Sequence, residues 1–367
     1  MPHISFQEAI DAALAFDFQA VGSRQVARSL ERETLSLEDL GALLSPAAAE
    51  NLEDLAARSR DLTLRHFGLN VTLFTPLYLA NHCVNHCLYC GFSALGDIRR
   101  GALTESDVDQ ELAAIEVTGL EDVLLLTGDS RARSGPEYIF RCAALAAKRL
   151  KKVGLEVYPL SIREYSRARD AGVDYVCVYQ ETYEPNLYAH VHLKGPKRNY
   201  AWRLAAPERA LAAGVRGVGL GALLGLGDFR RDVLALGWHA LYLSRLHPQA
   251  EISFSVPRLR PAPGHVVFQQ SPVSEAELAQ IIMALRIFMP WAGISLSTRE
   301  RPFFRDHLVG LGATRLSAGV RTSVGGHSGP DHGEEQFFKS DPRNVPQVCQ
   351  ALAQMGFQAV FNDYIRL

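Results

Sequence analysis

Short β-rich runs alternate with amphipathic helical stretches along the chain from residue 71 onward. Such alternation is typical of βα units arranged around a parallel sheet. Eight runs have the length and composition of strands: residues 71–79, 122–127, 155–160, 175–180, 217–224, 251–256, 293–298 and 314–317. Eight parallel strands with helices between them favour an α/β fold with a closed (βα)8 barrel of the TIM type over an open doubly wound sheet.

Helix starts are marked by capping patterns. Ser36-Leu-Glu-Asp39 and Ser274-Glu-Ala-Glu277 each have the spacing of a capping box, in which a serine side chain and an acidic side chain satisfy each other's backbone amides. Ser45 places a cap oxygen directly before Pro46, a residue suited to a first helical turn. Helical signals of this kind dominate the first seventy residues.

The chain is therefore predicted to have three parts. They are an N-terminal helical extension over residues 1–70, a barrel over 71–320, and a C-terminal loop, helix and tail over 321–367 that close the barrel. Within the last part, residues 325–333 are rich in glycine and histidine, which predicts a long flexible loop. Residues 345–355 predict the last helix.

Composition and net charge limit the kinds of molecule that the protein is expected to bind. The 367 residues are 47% hydrophobic and 21% charged, and the formal net charge is -2. The hydrophobic content is enough for a large core. The net charge provides no basic field that would attract nucleic acid or an anionic membrane. No apolar run reaches the roughly 18 residues of a membrane span, and the start, MPHISFQEAIDAALAF, lacks the pattern of a signal peptide. We therefore expect a cytoplasmic protein that acts on small molecules or other proteins.

Cys83, Cys87 and Cys90 form a C-x3-C-x2-C motif directly after the first predicted strand. The six cysteines of the chain are too few for a disulfide scaffold, and clustering of this kind indicates metal ligation. Three thiolates can hold a 4Fe-4S cluster and leave one iron open to an external ligand. The remaining cysteines stand singly and are predicted to be small buried hydrophobes: Cys142, Cys177 and Cys349.

Two other interpretations of the motif remain open on the residues alone. His82 or His86 could complete a zinc site, although structural zinc usually takes separated cysteine pairs. Either histidine could also complete a permanently ligated cluster in an electron-transfer or scaffold protein. Such a protein would perform no chemistry at the cluster.

An aromatic residue, Tyr89, precedes the last cysteine, and the whole motif resembles the signature of the radical S-adenosylmethionine superfamily. The resemblance implies that Cys83, Cys87 and Cys90 bind a 4Fe-4S cluster and that the methionine moiety of S-adenosylmethionine chelates the open iron. One electron then cleaves the sulfonium, and the 5'-deoxyadenosyl radical abstracts a hydrogen from the substrate. The protein positions and shields this chemistry.

The same resemblance implies cofactor contacts outside the cluster motif, and Tyr89 is counted among them. Gly128 matches a glycine-rich motif whose backbone meets the methionine amine, and the next residue, Asp129, replaces the usual glutamate. Glu181 is expected near the ribose or the amine, and Arg203 near the carboxylate, which a guanidinium fork pairs well. On the residues alone, a Thr-Gly-Asp sequence after a strand is more often simply a turn.

The basic run from Lys194 to Arg198 follows the fourth predicted strand. Exposed basic residues are usually solvated and have no further role. Lys197 and Arg198 are therefore predicted to lie in a solvated loop.

Most of the chain resembles the tyrosine lyases, or 2-iminoacetate synthases, of thiamine thiazole biosynthesis. The segments that carry this resemblance are LLSPAAAE, PLYLANHCVNHCLYCGFS, LLLTGDS, VYQETY, HLKGPK, GLGALLGL, SFSVPRLRP, LSTRE and FFRD. The resemblance implies that Arg299 holds the substrate carboxylate and that Tyr78 and Ser317 line the substrate pocket. The alternatives are a salt bridge from Arg299 to Glu300 or to a nearby acid, and core packing or backbone capping for the other two residues.

The resemblance also implies the reaction and its partners. The 5'-deoxyadenosyl radical would remove a hydrogen from the amine of L-tyrosine, and the Cα–Cβ bond would break to give p-cresol and 2-iminoacetate (dehydroglycine), with 5'-deoxyadenosine and methionine as co-products. Thiazole synthase and a flavodoxin or ferredoxin reductant are the expected protein partners. A tryptophan lyase is the alternative within the same branch. The related FeFe-hydrogenase maturase is disfavoured, because residues 360–367 contain no second cysteine cluster.

Overall fold

The computed structural model describes residues 6–262 and 271–362 of the chain. Its centre is a barrel of parallel strands, whose bounds are β1 Asn70–Ala80, β2 Asp122–Thr127, β3 Lys152–Glu156, β4 Tyr175–Glu181, β5 Gly217–Ala222, β6 Glu251–Ser255, β7 Gly293–Leu296 and β8 Arg315–Ser317. Neighbouring strands pair in sequence order, and β1 also pairs with β8 through residues 72–74 and 315–317, which closes the barrel. The predicted TIM-type fold is confirmed.

The third strand lies earlier than predicted. It covers Lys152–Glu156, so the predicted strand over residues 155–160 is wrong for most of its length. Val157 and Tyr158, which made that run strand-like, are buried in the loop that follows β3. The observed strand begins with Lys152 and contains Gly154, and both residue types are depleted in strands. The Lys152 ammonium lies 5.8 Å from the centre of the Tyr175 ring on β4. A prediction from strand composition therefore put β3 in the wrong place, because pairing with the neighbouring strands defines its bounds.

Helices surround the barrel. In the described residues they are α1 Phe6–Leu14, α2 Ser23–Glu31, α3 Leu37–Leu44, α4 Pro46–Ala49, α5 Leu52–Phe67, α6 Glu105–Val117, α7 Pro136–Arg149, α8 Ile162–Asp170, α9 Pro185–Val191, α10 Tyr200–Leu204, α11 Ala206–Ala212, α12 Phe229–Leu246, α13 Glu275–Phe288, α14 Pro302–Val309 and α15 Val345–Gln354. Short 3-10 turns lie at Phe18–Ala20 and Pro196–Arg198. Both predicted capping boxes, at Ser36 and Ser274, are formed, and the Ser45 side chain caps α4.

Two apolar layers hold this arrangement. The main core lies between the outer face of the sheet and the helices, and α1, α3 and α5 of the N-terminal extension pack on α12 and α13. A smaller cluster lies inside the barrel and includes Phe74, Tyr78 and Leu126. Burial of this much apolar surface is the main stabilising term of the fold. The inner cluster also forms one wall of the lumen.

The C-terminal segment is tied to the barrel. The predicted flexible loop at 325–333 instead contains a short antiparallel pair, β9 Val324–Gly325 and β10 Asp331–Gly333. The buried carboxylate of Glu111 accepts hydrogen bonds from the backbone amide of His327, at 2.7 Å, and from that of Ser328, at 3.1 Å. Buried acceptors of this kind fix the loop, so the prediction of a free loop is wrong.

The last elements complete one edge of the barrel. Asn344 caps α15, which confirms the predicted last helix, and β11 Gln358–Val360 pairs with the start of β1. The boundaries after residues 70 and 320 stay predictions. Residues 1–5 of the chain start and 363–367 of the predicted tail lie outside the described residues. None of the described helices combines the length and apolar character that crossing a membrane requires.

Candidate active site

A cavity of about 1070 Å³ occupies the lumen at the carboxyl ends of the strands. Six of the predicted site residues line it: Tyr78, Tyr89, Cys90, Glu181, Arg299 and Ser317. At the opposite end of the lumen, Asp122 pairs with Arg315 at 2.7 Å and accepts a hydrogen bond from the Tyr175 hydroxyl at 3.0 Å. Access is therefore from the end where (βα)8 enzymes place their chemistry.

Hydrogen bonds from two neighbouring segments hold the cysteine loop in place. Its backbone pairs with the segment after α9, where Cys87 lies opposite His192. The Asn85 side chain accepts a hydrogen bond from the backbone amide of Lys197 at 2.9 Å and donates one to Asp129 at 2.6 Å. Gly195 adopts a φ of 98° against Asn85, and a side chain there would collide with it. The loop conformation is thus fixed by hydrogen bonds outside the motif.

The three thiols share one environment. Cys87 is buried and Cys90 lines the cavity. Burial raises the pKa of Cys83 to about 11, and the nearby Asp129 and Cys90 add to that rise. Burial also raises the pKa of Cys87, where Lys197 acts in the opposite sense and the other two thiols act in the same sense. Removal of these protons needs a cation as partner, which is how metal binding and thiol ionisation are coupled.

This donor set fits a three-cysteine cluster. Within the described residues, no group of three or more His, Cys, Asp or Glu side chains is arranged to hold a metal ion. A cubane cluster bonds each thiolate to a different iron, so its cysteines need not meet around one atom. The residues that would hold the cluster are the three cysteines of the motif: Cys83, Cys87 and Cys90.

Gly128 lies directly against the cysteine loop. Its amide donates a hydrogen bond to the Ala80 carbonyl at 2.9 Å, and a Cβ at this position would collide with the His82 carbonyl oxygen. The next residue, Asp129, accepts a hydrogen bond at its backbone oxygen from the Val84 amide, again at 2.9 Å. Glycine is therefore required for close approach of β2 to the loop. The proposed contacts of Gly128 and Asp129 with the methionine amine stay predictions.

Glu181 is the centre of a buried charge cluster at the end of β4. Its carboxylate lies 2.7 Å from the Lys197 ammonium and 3.6 Å from the Arg203 guanidinium. Burial by itself would raise the pKa of Glu181, but these two cations outweigh burial and hold it below its ordinary value. Glu181 also has a φ of 72°, an uncommon conformation for a residue with a side chain. Strain of this kind is found at functional sites.

The prediction that Lys197 lies in a solvated loop is wrong. Its side chain is only 13% exposed, and its ammonium lies 5.5 Å from the centre of the Tyr89 ring. Arg198, in contrast, is exposed, as predicted. The two neighbours differ in their partners: the Lys197 ammonium pairs with the buried Glu181 carboxylate, whereas Arg198 Nη1 donates an exposed hydrogen bond to the Leu193 carbonyl oxygen. Only the tertiary contact with Glu181 distinguishes Lys197 from Arg198.

Tyr89 and Arg203 each have a protein partner already. The Tyr89 hydroxyl lies 2.8 Å from His192 Nε2, and His192 Nδ1 lies 2.8 Å from the Tyr188 carbonyl oxygen, so the neutral ring accepts from Tyr89. Burial lowers the pKa of His192 to about 3, which keeps it neutral. Arg203 Nε donates to the Tyr179 carbonyl at 2.6 Å. The cofactor contacts of Tyr89 and Arg203 stay predictions.

Arg299 has a free guanidinium facing the cavity. Its side chain makes no hydrogen bond or ion pair with any residue in 6–262 or 271–362, and it lies 3.6 Å above the centre of the Phe337 ring. Glu300 is paired instead with Arg258 and with Arg260, the latter at 3.1 Å, so the Arg299–Glu300 salt bridge is excluded. Loss of solvent lowers the pKa of Arg299. An anionic ligand would restore the missing partner.

Tyr78 and Ser317 line the same cavity. The Tyr78 hydroxyl donates a hydrogen bond to Gln336 Oε1 at 2.8 Å, and Gln336 Nε2 lies 3.9 Å from Cys90 Sγ. Ser317 Oγ is buried without a partner in the described part of the chain. A buried hydroxyl normally has one, so this oxygen is available to a ligand. The substrate roles of both residues stay predictions.

Other cavity residues were not recognised from the sequence. Glu156, Gln336 and Phe337 all contribute side chains to the cavity wall. Glu156 is the last residue of β3, and polar residues at the carboxyl end of a strand are candidates for the site. It was missed because the third strand was predicted to begin at residue 155, which placed Glu156 near the start of the strand. Gln336 and Phe337 lie in a segment without regular secondary structure, and no local pattern marks them.

Two family models match the chain. Residues 77–236 match the Radical SAM superfamily, and residues 255–358 match the Biotin and Thiamin Synthesis associated domain. Together the two matches contain the cysteine motif, Gly128, Glu181 and Arg299. Residues of both matched regions line the described cavity.

Whole-chain relatives are more specific. The chain is 43% identical to a 2-iminoacetate synthase of Salmonella typhimurium and 42% identical to one of Escherichia coli, each over 92% of this chain and 90% of the relative. Among solved structures, the FeFe-hydrogenase maturase of Carboxydothermus hydrogenoformans is 31% identical, with a TM-score of 0.91 over 98% of this chain and 85% of that one. The chain therefore belongs to the 2-iminoacetate synthase family within the radical S-adenosylmethionine superfamily.

Proposed function

We propose that this protein is a radical carbon–carbon lyase that cleaves the Cα–Cβ bond of L-tyrosine to 2-iminoacetate and p-cresol, with 5'-deoxyadenosine and methionine as co-products. Membership of the 2-iminoacetate synthase family supports the reaction. The single structural observation that carries it is the unpaired Arg299 guanidinium, which faces a cavity that Cys90 also lines. A carboxylate bound there would stand beside the site of the cluster.

The cofactors of this superfamily are a 4Fe-4S cluster and S-adenosylmethionine. When bound, they supply the 5'-deoxyadenosyl radical that removes a hydrogen from the substrate amine. Cys83, Cys87 and Cys90 would hold the cluster. The proposed contacts of S-adenosylmethionine are made by five residues: Tyr89, Gly128, Asp129, Glu181 and Arg203.

The chain itself orients the substrate and excludes water. Arg299 would bind the substrate carboxylate through two hydrogen bonds, a geometry that fixes position as well as charge. The orphaned hydroxyl of Ser317 and the Tyr78–Gln336 pair would complete the pocket around the amino acid. Holding the reacting groups together in this way removes much of the entropic cost of the reaction.

The product suggests the place of the reaction in metabolism. An imine of glyoxylate hydrolyses readily in water, so prompt transfer to a thiazole synthase, for thiamine thiazole formation, is the proposed fate. A flavodoxin or a ferredoxin would supply single electrons. All six cysteines are free thiols, which is the state expected in the reducing cytoplasm. We place the protein there.

The test compares two amino acids. Protein with a reconstituted cluster, S-adenosylmethionine and a reductant is incubated anaerobically with L-tyrosine or with L-tryptophan, and p-cresol and indole products such as 3-methylindole are measured. We expect p-cresol from tyrosine and little product from tryptophan, because a pocket that hydrogen-bonds a phenol rejects a ring that leaves its polar groups unpaired. Consumption of tryptophan alone would reassign the substrate.

The same samples address a non-catalytic cluster protein. A cluster with an open iron should change its electron paramagnetic resonance signal when S-adenosylmethionine is added. An unchanged signal and no 5'-deoxyadenosine would instead indicate a permanently ligated electron-transfer cluster.

A further inference from the structure

The carboxyl group of Glu156 lines the cavity without a protein partner. It makes no hydrogen bond or ion pair with any residue in 6–262 or 271–362, whereas Glu181, the other glutamate of the cavity wall, is held by Lys197. Glu156 is partly exposed to the cavity rather than enclosed by protein, so a ligand that filled the cavity would displace the water around this carboxyl group and would have to supply its hydrogen-bond partner. An unpartnered carboxyl group in a ligand cavity therefore indicates a ligand donor.

Strand register places Glu156 opposite Arg299. Glu156 pairs with Leu126 on β2, which in turn pairs with Tyr78 on β1, so Glu156 lies at the level of the Tyr78 ring. β3 and β7 are four strands apart in a closed barrel of eight. Glu156 at the end of β3 and Arg299 just beyond β7 thus face each other across the lumen. An amino acid whose carboxylate binds Arg299 extends its side chain toward the β3 wall.

Several charged and titratable groups surround this carboxyl group. Burial is the largest influence and raises the pKa of Glu156 to about 7; Glu181 acts in the same sense, and Arg299, Arg203 and Lys197 act in the opposite sense. Tyr78 on β1 and both Cys177 and Tyr179 on β4 each have a pKa that burial raises and that the Glu156 charge raises further. A carboxyl group in this setting exchanges a proton near neutral pH.

Resting on the function proposed above, we infer that Glu156 binds the phenol hydroxyl of L-tyrosine and takes its proton while the Cα–Cβ bond breaks. The phenol O–H bond breaks, its electron pair stays on the phenol oxygen, and a new O–H bond forms on the glutamate. Negative charge on that oxygen stabilises the departing benzylic fragment. The glutamate then returns its proton to the phenol oxygen and is regenerated. The departing fragment is a benzylic radical, and it becomes p-cresol by taking one electron from the flavodoxin or ferredoxin reductant and one proton at its benzylic carbon.

The test uses Glu156→Gln, which keeps the shape and a hydrogen bond but cannot take the proton. We expect p-cresol formation to fall by about 10² to 10⁴, the usual contribution of a general base, while slow tyrosine-independent formation of 5'-deoxyadenosine persists. Glu156→Asp, which keeps an acid, should retain more p-cresol formation than the glutamine variant. Glu251→Gln is the matched control, since Glu251 is exposed at the start of β6 and should leave the rate unchanged.

A second measurement distinguishes a role of Glu156 in proton transfer from a role in packing. Ring-fluorinated tyrosines have more acidic phenols and lose the proton to water more easily. They should restore part of the activity of Glu156→Gln and add little to the wild type. A glutamate that acted only in packing would produce no such rescue.

The pH profile is the third measurement. Only the ionised Glu156 accepts a proton, so wild-type kcat/KM for tyrosine should fall as pH drops below about 7, and this limb should disappear in Glu156→Gln.

The outcomes distinguish this inference from the function on which it rests. Wild-type protein that formed no p-cresol would overturn both. Equal p-cresol rates for wild type and Glu156→Gln would overturn the inference alone, as would an aspartate variant no better than the glutamine variant. If Glu156→Gln also loses 5'-deoxyadenosine formation, the other two measurements test the inference. Failure of Glu156→Asp to retain activity, or failure of the fluorinated tyrosines to restore activity to Glu156→Gln, would count against it.

Discussion

The Arg299 guanidinium stacks 3.6 Å above the ring of Phe337, a residue of the C-terminal segment that follows β8. Stacking fixes the plane of the guanidinium without occupying its hydrogen-bond donors. The arginine is therefore oriented in advance, and its donors remain available to a carboxylate. This contact joins the barrel to the C-terminal segment at the cavity wall.

Replacing Arg299 with lysine keeps the charge but loses the fork and the stacked plane. Hydrogen bonds to a charged group are worth about 1.5 to 3 kcal/mol, so tyrosine-dependent p-cresol formation should fall roughly tenfold to a hundredfold. Quantification of p-cresol by chromatography checks this. Arg301→Lys is the control, because Arg301 is exposed and paired with Glu275 at 2.7 Å. Equal effects of the two changes would contradict the role of Arg299.

The cluster assignment predicts two groups of cysteines. Alanine at Cys83, Cys87 or Cys90 should each abolish 5'-deoxyadenosine formation and lower the iron content, because three ligands are the minimum for this site. Alanine at the solitary cysteines should leave the bound iron unchanged: Cys142, Cys177 and Cys349. Iron and sulfide analysis after anaerobic reconstitution measures the difference. A solitary cysteine whose loss removed the cluster would refute the three-cysteine site.

Lys197 should stabilise both the fold and the cofactor site. Lys197→Met leaves Glu181 with the more distant Arg203 at 3.6 Å. Removal of one partner of a buried ion pair typically costs about 3 to 5 kcal/mol, so the free energy of unfolding should drop by an amount of that order. Urea unfolding measures it, and binding of S-adenosylmethionine should weaken in parallel. The exposed Lys194→Met is the control, and equal urea midpoints for the two variants would argue against the buried pair.

Asp232 should make stability depend on pH. Burial raises its pKa from 3.8 to about 7, although Tyr183 N–H and the Thr182 hydroxyl donate hydrogen bonds to it at 2.6 and 2.9 Å. Between these values the folded state binds a proton that the unfolded state has lost. The free energy of unfolding should therefore fall with rising pH, by about 1.4 kcal/mol per pH unit from this group.

Asp232→Asn removes that titration. Urea unfolding at pH 5 and pH 8 should show a smaller loss of stability in the variant than in the wild type. A residual loss is expected, since Glu156 titrates in the same direction. An identical loss in both proteins would show that Asp232 is ionised throughout.

Much of the fold is local in origin and could be predicted. The alternation of strands and helices and the capping boxes at Ser36 and Ser274 depend on spacing within a few residues. The C-x3-C-x2-C motif is equally local, because one loop presents all three thiols. Arg299, Gly128 and Glu181 follow predicted strands, so the parallel arrangement alone brought them to one end of the barrel.

The remaining site residues depend on contacts that no local pattern encodes. Tyr78 meets Gln336 across 258 residues of sequence, and Lys197 becomes a buried partner of Glu181 only when its turn docks on the cysteine loop. Glu156 was concealed because lysine and glycine are poor strand formers, and pairing with β2 and β4 decides where β3 lies. The sequence by itself determined the barrel, the cysteine motif and the strand-end polar residues, since each depends on local periodicity or on spacing within one loop. Barrel closure and the docking of the C-terminal segment decided which side chains share the cavity, because burial and pairing in the lumen are properties of the assembled sheet.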